Sequence, residues 1–377
     1  MRVAWRADAH DRARHNIVER HLRRFRAPVQ PAVRALAQHP ALADLAVSFP
    51  ALCVALALPR KGFDPAFAAG RVLAGAPLAA AAKGAGVPLW TRRLTPESFT
   101  GPVPVLPASA QFAHRIANHL PRAARHADLW LEAVAHAAHW ADEAFALWTA
   151  REFVRDASRI KSIDRMRLRL IALWAWHSQH PECEARRFME RRWNPAMRMA
   201  AAGAAATTWW AAIDLHINLG RGRIEDMWLK PGSADGYEFR PLPTAADLID
   251  EARAMNNCLR SYGFDVSHDF ARLWSVRREG RRLATLRLGC ARHKPLVDGL
   301  EIKLARNEAA PKDLWWAAQK WLAAHDLAGI EIVRRKWGTA PLDQALWRSL
   351  WRPYWLARRE IPSWLPLRAS RAALESL

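Results

Sequence analysis

Leu273-Trp274-Ser275-Val276-Arg277, then Glu279-Gly280, then Leu283-Ala284-Thr285-Leu286-Arg287-Leu288 is the stretch that decides the fold. Two short apolar-rich runs around a turn pair ending in Gly predict an antiparallel hairpin. Downstream, Leu300-Glu301-Ile302-Lys303-Leu304 alternates apolar and charged residues, which predicts a third strand with one buried face. Upstream, Thr244 and Asp247 have the three-residue spacing of a capping box, and Leu248, Ala252, Met255 and Leu259 share one helical face. A helix over 312–325 and a short strand from Ile330 to Val333 complete an α+β block.

The chain before this block reads as helical. Residues 11–38 form a basic helix that Pro28 and Pro31 end or restart, and residues 59–107, rich in Pro, Gly and Ala, predict short helices with irregular connections. Trp130, Val134, Ala141, Phe145 and Trp148 recur at helical spacing, which predicts one helix from Asp128 to about Asp156. A second runs from Ile160 to His177, before Pro181, and a third from Met197 to Leu219, stopped by Gly220 and Gly222. The fold class is therefore α+β, with a mostly helical N-terminal region followed by a small α+β domain built on an antiparallel hairpin with flanking helices. The expected segments are 1–58 (basic, helical), 59–127 (connecting), 128–227 (helical), 228–335 (α+β) and 336–377. The last is a Trp/Arg-rich tail broken by Pro353, Pro362 and Pro366.

The 377 residues carry a formal charge of +21, with 51% hydrophobic and 25% charged residues. That hydrophobic content excludes wholesale disorder, and a surface of this sign favours polyanions. Residues 1–27 hold eight Arg against three acids, so the ends are the most basic parts. Nine of the 57 basic residues are Lys, and the Arg excess suits phosphate, whose oxygens a planar fork binds in pairs, although a GC-rich genome also enriches Arg. Cys53, Cys183, Cys258 and Cys290 stand far apart with no Cys-x-x-Cys pair, which fits a reducing, cytoplasmic setting. No apolar stretch is long enough to suggest integral membrane association, and the N-terminus does not read as a secretory signal.

Met255, Asn257, Cys258 and Tyr262 close the capped helix, Thr285 and Leu286 lie in the second hairpin strand, and Glu301 and Asn307 follow. In this order, residues 240–325 resemble the PcfJ-like proteins of bacterial plasmids and phages. The resemblance implies an accessory role in a mobile element and makes Met255, Asn257, Cys258, Tyr262, Thr285, Glu301 and Asn307 the candidate motif residues. Departures accompany it: Asn257 replaces a His that many members carry, Arg287 takes an acidic position, and Leu304 takes a Gly position. The resemblance implies no reaction.

Read physically, Cys258 beside an apolar stripe is expected to be a packed thiol, because a nucleophile needs a lowered pKa; His268 is the nearby base that could supply it. Glu301 is expected on a solvated strand face, with a cleft between Cys258, Tyr262 and Glu301 as the enzyme alternative. Glu132, His136, His139 and Glu143 fall on one face of the expected helix, with His177 and His180 as further ligands. A single helix seldom completes a metal site, so the stripe reads as a polar face, and neither metal nor cofactor is expected. Twenty Trp are several times ordinary usage, and Trp347, Trp351 and Trp355 interleave with Arg. Such a pattern serves as core, as a stacking surface for single-stranded nucleic acid, or as a membrane-surface tail. The favoured function is non-catalytic binding of nucleic acid, of type unspecified, through Arg12, Arg14, Arg20, Arg23, Arg24, Arg348, Arg352, Arg358 and Arg359. The rivals are the enzyme reading and a Trp-rich module for a protein partner.

Overall fold

A computed structural model of the chain describes residues 16–156, 164–220, 222–290, 297–327, 330, 332 and 344–360. It combines helices in the N-terminal region with a five-stranded antiparallel sheet in the C-terminal half, so the α+β class is as expected. Two compact units divide the chain: residues 1–179 with 192–203, and residues 180–191 with 204–377. The segments read as 1–58 and 59–127 lie in the first unit, 228–335 lies in the second, and 128–227 contributes to both.

In the first unit a short helix, Pro50–Ala57, is buried along nearly its whole length. Against it pack the short helices Gln30–Leu36, with Pro31 in its first turn, and Pro65–Leu73, and Leu78–Gly84 packs on the latter. The longer helices are α1 (Ala127–Trp140), α2 (Glu143–Asp156) and α3 (Arg165–Gln179), and Trp130, Trp148 and Trp174 are buried side chains on them. The single helix expected from Asp128 to Asp156 is thus two. Ala141 leaves helical geometry (φ −127°, ψ −98°), and the Asp142 carboxylate accepts a 2.7 Å hydrogen bond from Phe145 N, which caps a new helix start. Apolar periodicity continues across the break because both helices bury a face, and so periodicity alone did not reveal it.

The second unit takes in α4 (Met199–Leu219) from Ala204 onward, then β1 (Gly232–Ala234), β2 (Tyr237–Pro241) and α5 (Ala245–Met255). After these come β3 (Ala271–Arg278), β4 (Arg281–Cys290), β5 (Val297–Leu304), α6 (Lys312–Ala323) and α7 (Gln344–Arg358). The strands pair in chain order. Glu279 and Gly280 both have positive φ (52° and 76°), which matches the right-handed strand twist of a tight hairpin. The capping box holds: Asp247 N donates to Thr244 Oγ1 and Thr244 N to Asp247 Oδ2, both at 3.1 Å. Strands β1 and β2 were not anticipated, although Asp235-Gly236 turns between them with positive φ at both residues.

One face of the sheet is apolar. Trp274, Val276, Leu286, Leu288 and Ile302 pack with α6, whose Trp321 stacks on Phe239 at 4.5 Å and 3°. The opposite face meets α5, where Leu248 and Ala252 join Leu273, Leu259, Val266 and Leu215 of α4. The tail also differs from expectation, because α7 continues through Pro353. Leu346, Trp347, Leu350, Trp351 and Tyr354 are buried along one side of it, and Trp351 meets Trp209 edge-on at 6.2 Å. Burial of four or five large side chains at about 2 kcal/mol each outweighs the ~3 kcal/mol cost of an internal proline. The expected strand Ile330 to Val333 and the prolines at 362 and 366 lie largely outside the described residues.

Candidate functional site

Where α5 ends, the backbone turns left-handed at Asn256 (φ 47°, ψ 50°), and a 3-10 turn, Leu259–Tyr262, follows. This reversal interrupts the stripe begun by Leu248 and Ala252. Leu259 resumes it and is buried, while Cys258 is left exposed. The thiol expected in the core is therefore at the surface of a pocket.

Alternation on β4 and β5 supplies the pocket floor. Register pairs Thr285 with Lys303, Arg287 with Glu301, and Gly289 with Gly299, so these pairs share one face while Leu286 and Ile302 share the other. The α5 end and the 3-10 turn provide the wall, Asn307 the rim, and the volume of this open pocket is about 120 Å³. Six of the seven motif residues converge on this space: Asn257, Cys258, Tyr262, Thr285, Glu301 and Asn307. The seventh, Met255, is a buried residue of α5.

Asn257 holds wall to floor. Its Nδ2 donates to Thr285 Oγ1 at 3.0 Å, and its Oδ1 accepts from Leu259 N at 3.3 Å. Cys258 Sγ lies 3.8 Å from Asn307 Oδ1, an amide oxygen that takes no proton. His268 does not approach the thiol as the sequence allowed: it is buried, stacked on Phe264 at 4.2 Å, with Nδ1 3.0 Å from Phe264 O. Burial pushes the Tyr262 hydroxyl above its ordinary pKa, helped by Glu301 and Cys258 and opposed by Arg287.

Arg287 is the residue that sequence reasoning noticed only as a departure. Its guanidinium carbon lies 5.8 Å from the Tyr262 ring centroid, and it extends over Gly289, where an added Cβ would stand 2.9 Å from Nη1. Among the described residues Arg287 forms no ion pair, and its Nε is buried with no hydrogen-bond partner. Glu301, directly across the ladder, instead approaches Lys303 Nζ at 3.8 Å. A half-buried, unpaired guanidinium beside an ammonium favours an anion, and Tyr262, Asn257 and Asn307 add an aromatic ring and amides. The signal was available in the alternation of Thr285 and Arg287; the β4–β5 register was needed to set them opposite Lys303 and Glu301.

Other expected sites stay dispersed. In the first unit Arg23 pairs with Glu19 at 3.3 Å and Arg24 with Glu97 at 2.7 Å, while Arg20 is exposed; Arg12 and Arg14 lie outside the described residues. In the second, Arg348, Arg352 and Arg359 are exposed and Arg358 is half-buried. Trp347 and Trp351 are core, so the expected Trp/Arg stacking surface is not formed by these rings. The stripe of Glu132, His136, His139 and Glu143 is broken with its helix. Glu143 accepts from Ser109 Oγ, Glu132 binds Arg165, and His136 stacks on Trp140 at 4.5 Å. His177 is buried, with Nδ1 2.9 Å from Leu173 O. Among the described residues no group of three or more His, Cys, Asp and Glu is placed to hold a metal ion, and no helix is long and apolar enough to cross a membrane. No family model matches the chain, and neither does any curated protein or solved structure.

Proposed function

We propose that this chain is a PcfJ-like accessory protein of a mobile element, and that its second unit binds single-stranded nucleic acid by lodging one nucleotide in the pocket, without catalysis. The observation that carries the reading is the unpaired Arg287 beside Lys303 in a small pocket that also presents Tyr262. Phosphate would meet the guanidinium fork and a base the phenol ring, which is how sequence-tolerant single-strand sites are built. The +21 charge supports the partner class, because a polyanion is attracted from a distance before it is recognised. The non-catalytic part is supported by the thiol's contact with the Asn307 amide oxygen. The mobile-element context rests on the motif resemblance.

Fluorescence anisotropy with labelled oligo(dT), oligo(U) and duplex DNA tests this. Single strands should bind more tightly than duplex, and Arg287→Gln should weaken them about tenfold, the value of one charge-assisted contact. Equal affinity of wild type and a folded Arg287→Gln variant would sink the reading.

A further inference from the structure

A larger concavity lies on the other side of the same turn, within the second unit. Its volume is about 600 Å³, and residues 187–190, His216 of α4, Ile249 and Arg253 of α5, and Arg260 border it. The turn Leu259–Tyr262 serves both hollows: Leu259 and Tyr262 line the pocket, and Arg260 between them lines the groove. The two hollows thus adjoin along one turn.

Three guanidinium groups border this groove, and their neutralisation is uneven. Arg187 pairs with Glu184 and lies over the Phe188 ring at 4.9 Å. Arg253 reaches Asp250 at 3.0 Å and Glu190 at 3.3 Å. Arg260 also depends on Glu190, so one carboxylate serves two forks. The Arg260 side chain is only 11% exposed, and its Nε is buried with no hydrogen-bond partner among the described residues. Burial also lowers its pKa, the expected strain on a charge with too little compensation. Glu190 is 38% exposed, on a wall separate from both arginines, where an anion from solvent can compete with it.

We propose that this groove carries the phosphates adjoining the nucleotide in the pocket, and that Glu190 is the resident anion which the strand displaces from Arg253 and Arg260. The inference rests on the reading of the pocket. It gives the site a built-in competitor, so that removal of an acidic side chain strengthens binding.

The test is anisotropy of the full chain with labelled oligo(dT) and oligo(U) of about twenty nucleotides across a salt series. Glu190→Gln should tighten binding about fivefold and steepen the log–log salt dependence by about 0.7 if one more phosphate is contacted. Arg253→Gln, at a side chain 59% exposed, should flatten the slope by about the same amount. Unchanged affinity and slope in both variants, alongside weakened binding by Arg287→Gln, would overturn the groove and leave the pocket standing. A wild-type chain that binds neither oligonucleotide would overturn both.

Discussion

The two faces of the sheet are made from alternate residues of the same strands, yet they serve different ends. Under α6, Trp274, Val276, Leu286, Leu288 and Ile302 close around Trp321, and even the indole N–H groups of Trp274 and Trp321 go without partners among the described residues. Under α5 and the 3-10 turn, the neighbouring positions are Ser275, Thr285, Arg287, Glu301 and Lys303. The apolar face gains from every methylene removed from water. The polar face buries groups whose desolvation costs free energy unless each finds a partner. The larger apolar cluster thus lies on one side of the sheet, while on the other side a smaller one around Leu273 leaves the polar positions beside it to hold a ligand.

The sharpest way to break this comparison is to exchange the faces at one strand. Ile302→Asp should abolish cooperative unfolding of the second unit in a denaturant titration, because a carboxylate placed among Leu286, Leu288 and Trp321 costs about 4 kcal/mol or more. Glu301→Ala, one residue away, should stay within about 0.5 kcal/mol of wild type. Similar losses from the two substitutions would show that the faces are not distinct.

Asn257→Ala tests whether the polar face has its own structural tie. It removes the amide that joins Thr285 Oγ1 to Leu259 N and leaves the buried Thr285 hydroxyl without that donor. A loss of about 1–2 kcal/mol is expected, measured by thermal or chemical denaturation. A neutral result would mean that the turn is held by Leu259 alone.

A smaller, pH-dependent effect is expected at Glu251, which α5 buries near Ser275 with Arg282 Nε 3.0 Å away. Burial raises its carboxyl pKa, with Ser275 and Arg282 opposing. The native state therefore holds the proton more tightly than the unfolded chain. This group's contribution to stability falls as pH rises from the ordinary carboxyl value towards the raised native one. Glu251→Gln should melt higher than wild type at neutral pH, and the gap should close below about pH 4. A gap that widens in acid would contradict the sign.

The smallest effect belongs to Cys258. Being exposed, it should react with a thiol reagent in the folded chain at the rate of an ordinary free cysteine, while buried Cys53 and Cys183 are protected. Burial pushes the Cys53 thiol up to about 12 and, with Glu182, that of Cys183 up to about 11, which adds to their protection. Cys258→Ser should change stability by less than about 0.5 kcal/mol. Protection of Cys258 equal to that of Cys53 would restore the packed thiol.

How much of this was legible in the sequence follows from the range of each interaction. The capping box, the Glu279-Gly280 hairpin and the alternation around Ile302 are set by neighbours a few residues apart, and they formed as read. Strands β1 and β2 escaped because a three-residue strand carries too little pattern, and Pro241 reads as a breaker. The motif residues were identified, and a cleft between Cys258, Tyr262 and Glu301 was one of the alternatives, but the walls that close it were not, since they depend on the pairing of β4 with β5 and on one left-handed residue, Asn256. The same residue reversed the reading of Cys258. In α7 long-range burial overrode Pro353, a local signal that usually wins.

The division of the chain into 1–179 with 192–203, and 180–191 with 204–377, has a consequence for synthesis on the ribosome. The segment carrying Glu190 emerges before the first unit has received its last residues, and it must wait for α5 and the 3-10 turn before Arg253 and Arg260 exist to receive it. Translation order and assembly order thus part at residue 180. A gene fragment beginning at residue 228 would encode the whole sheet but neither Glu190 nor Leu215, so a shortened protein would lose one wall of the groove and part of the α5 packing.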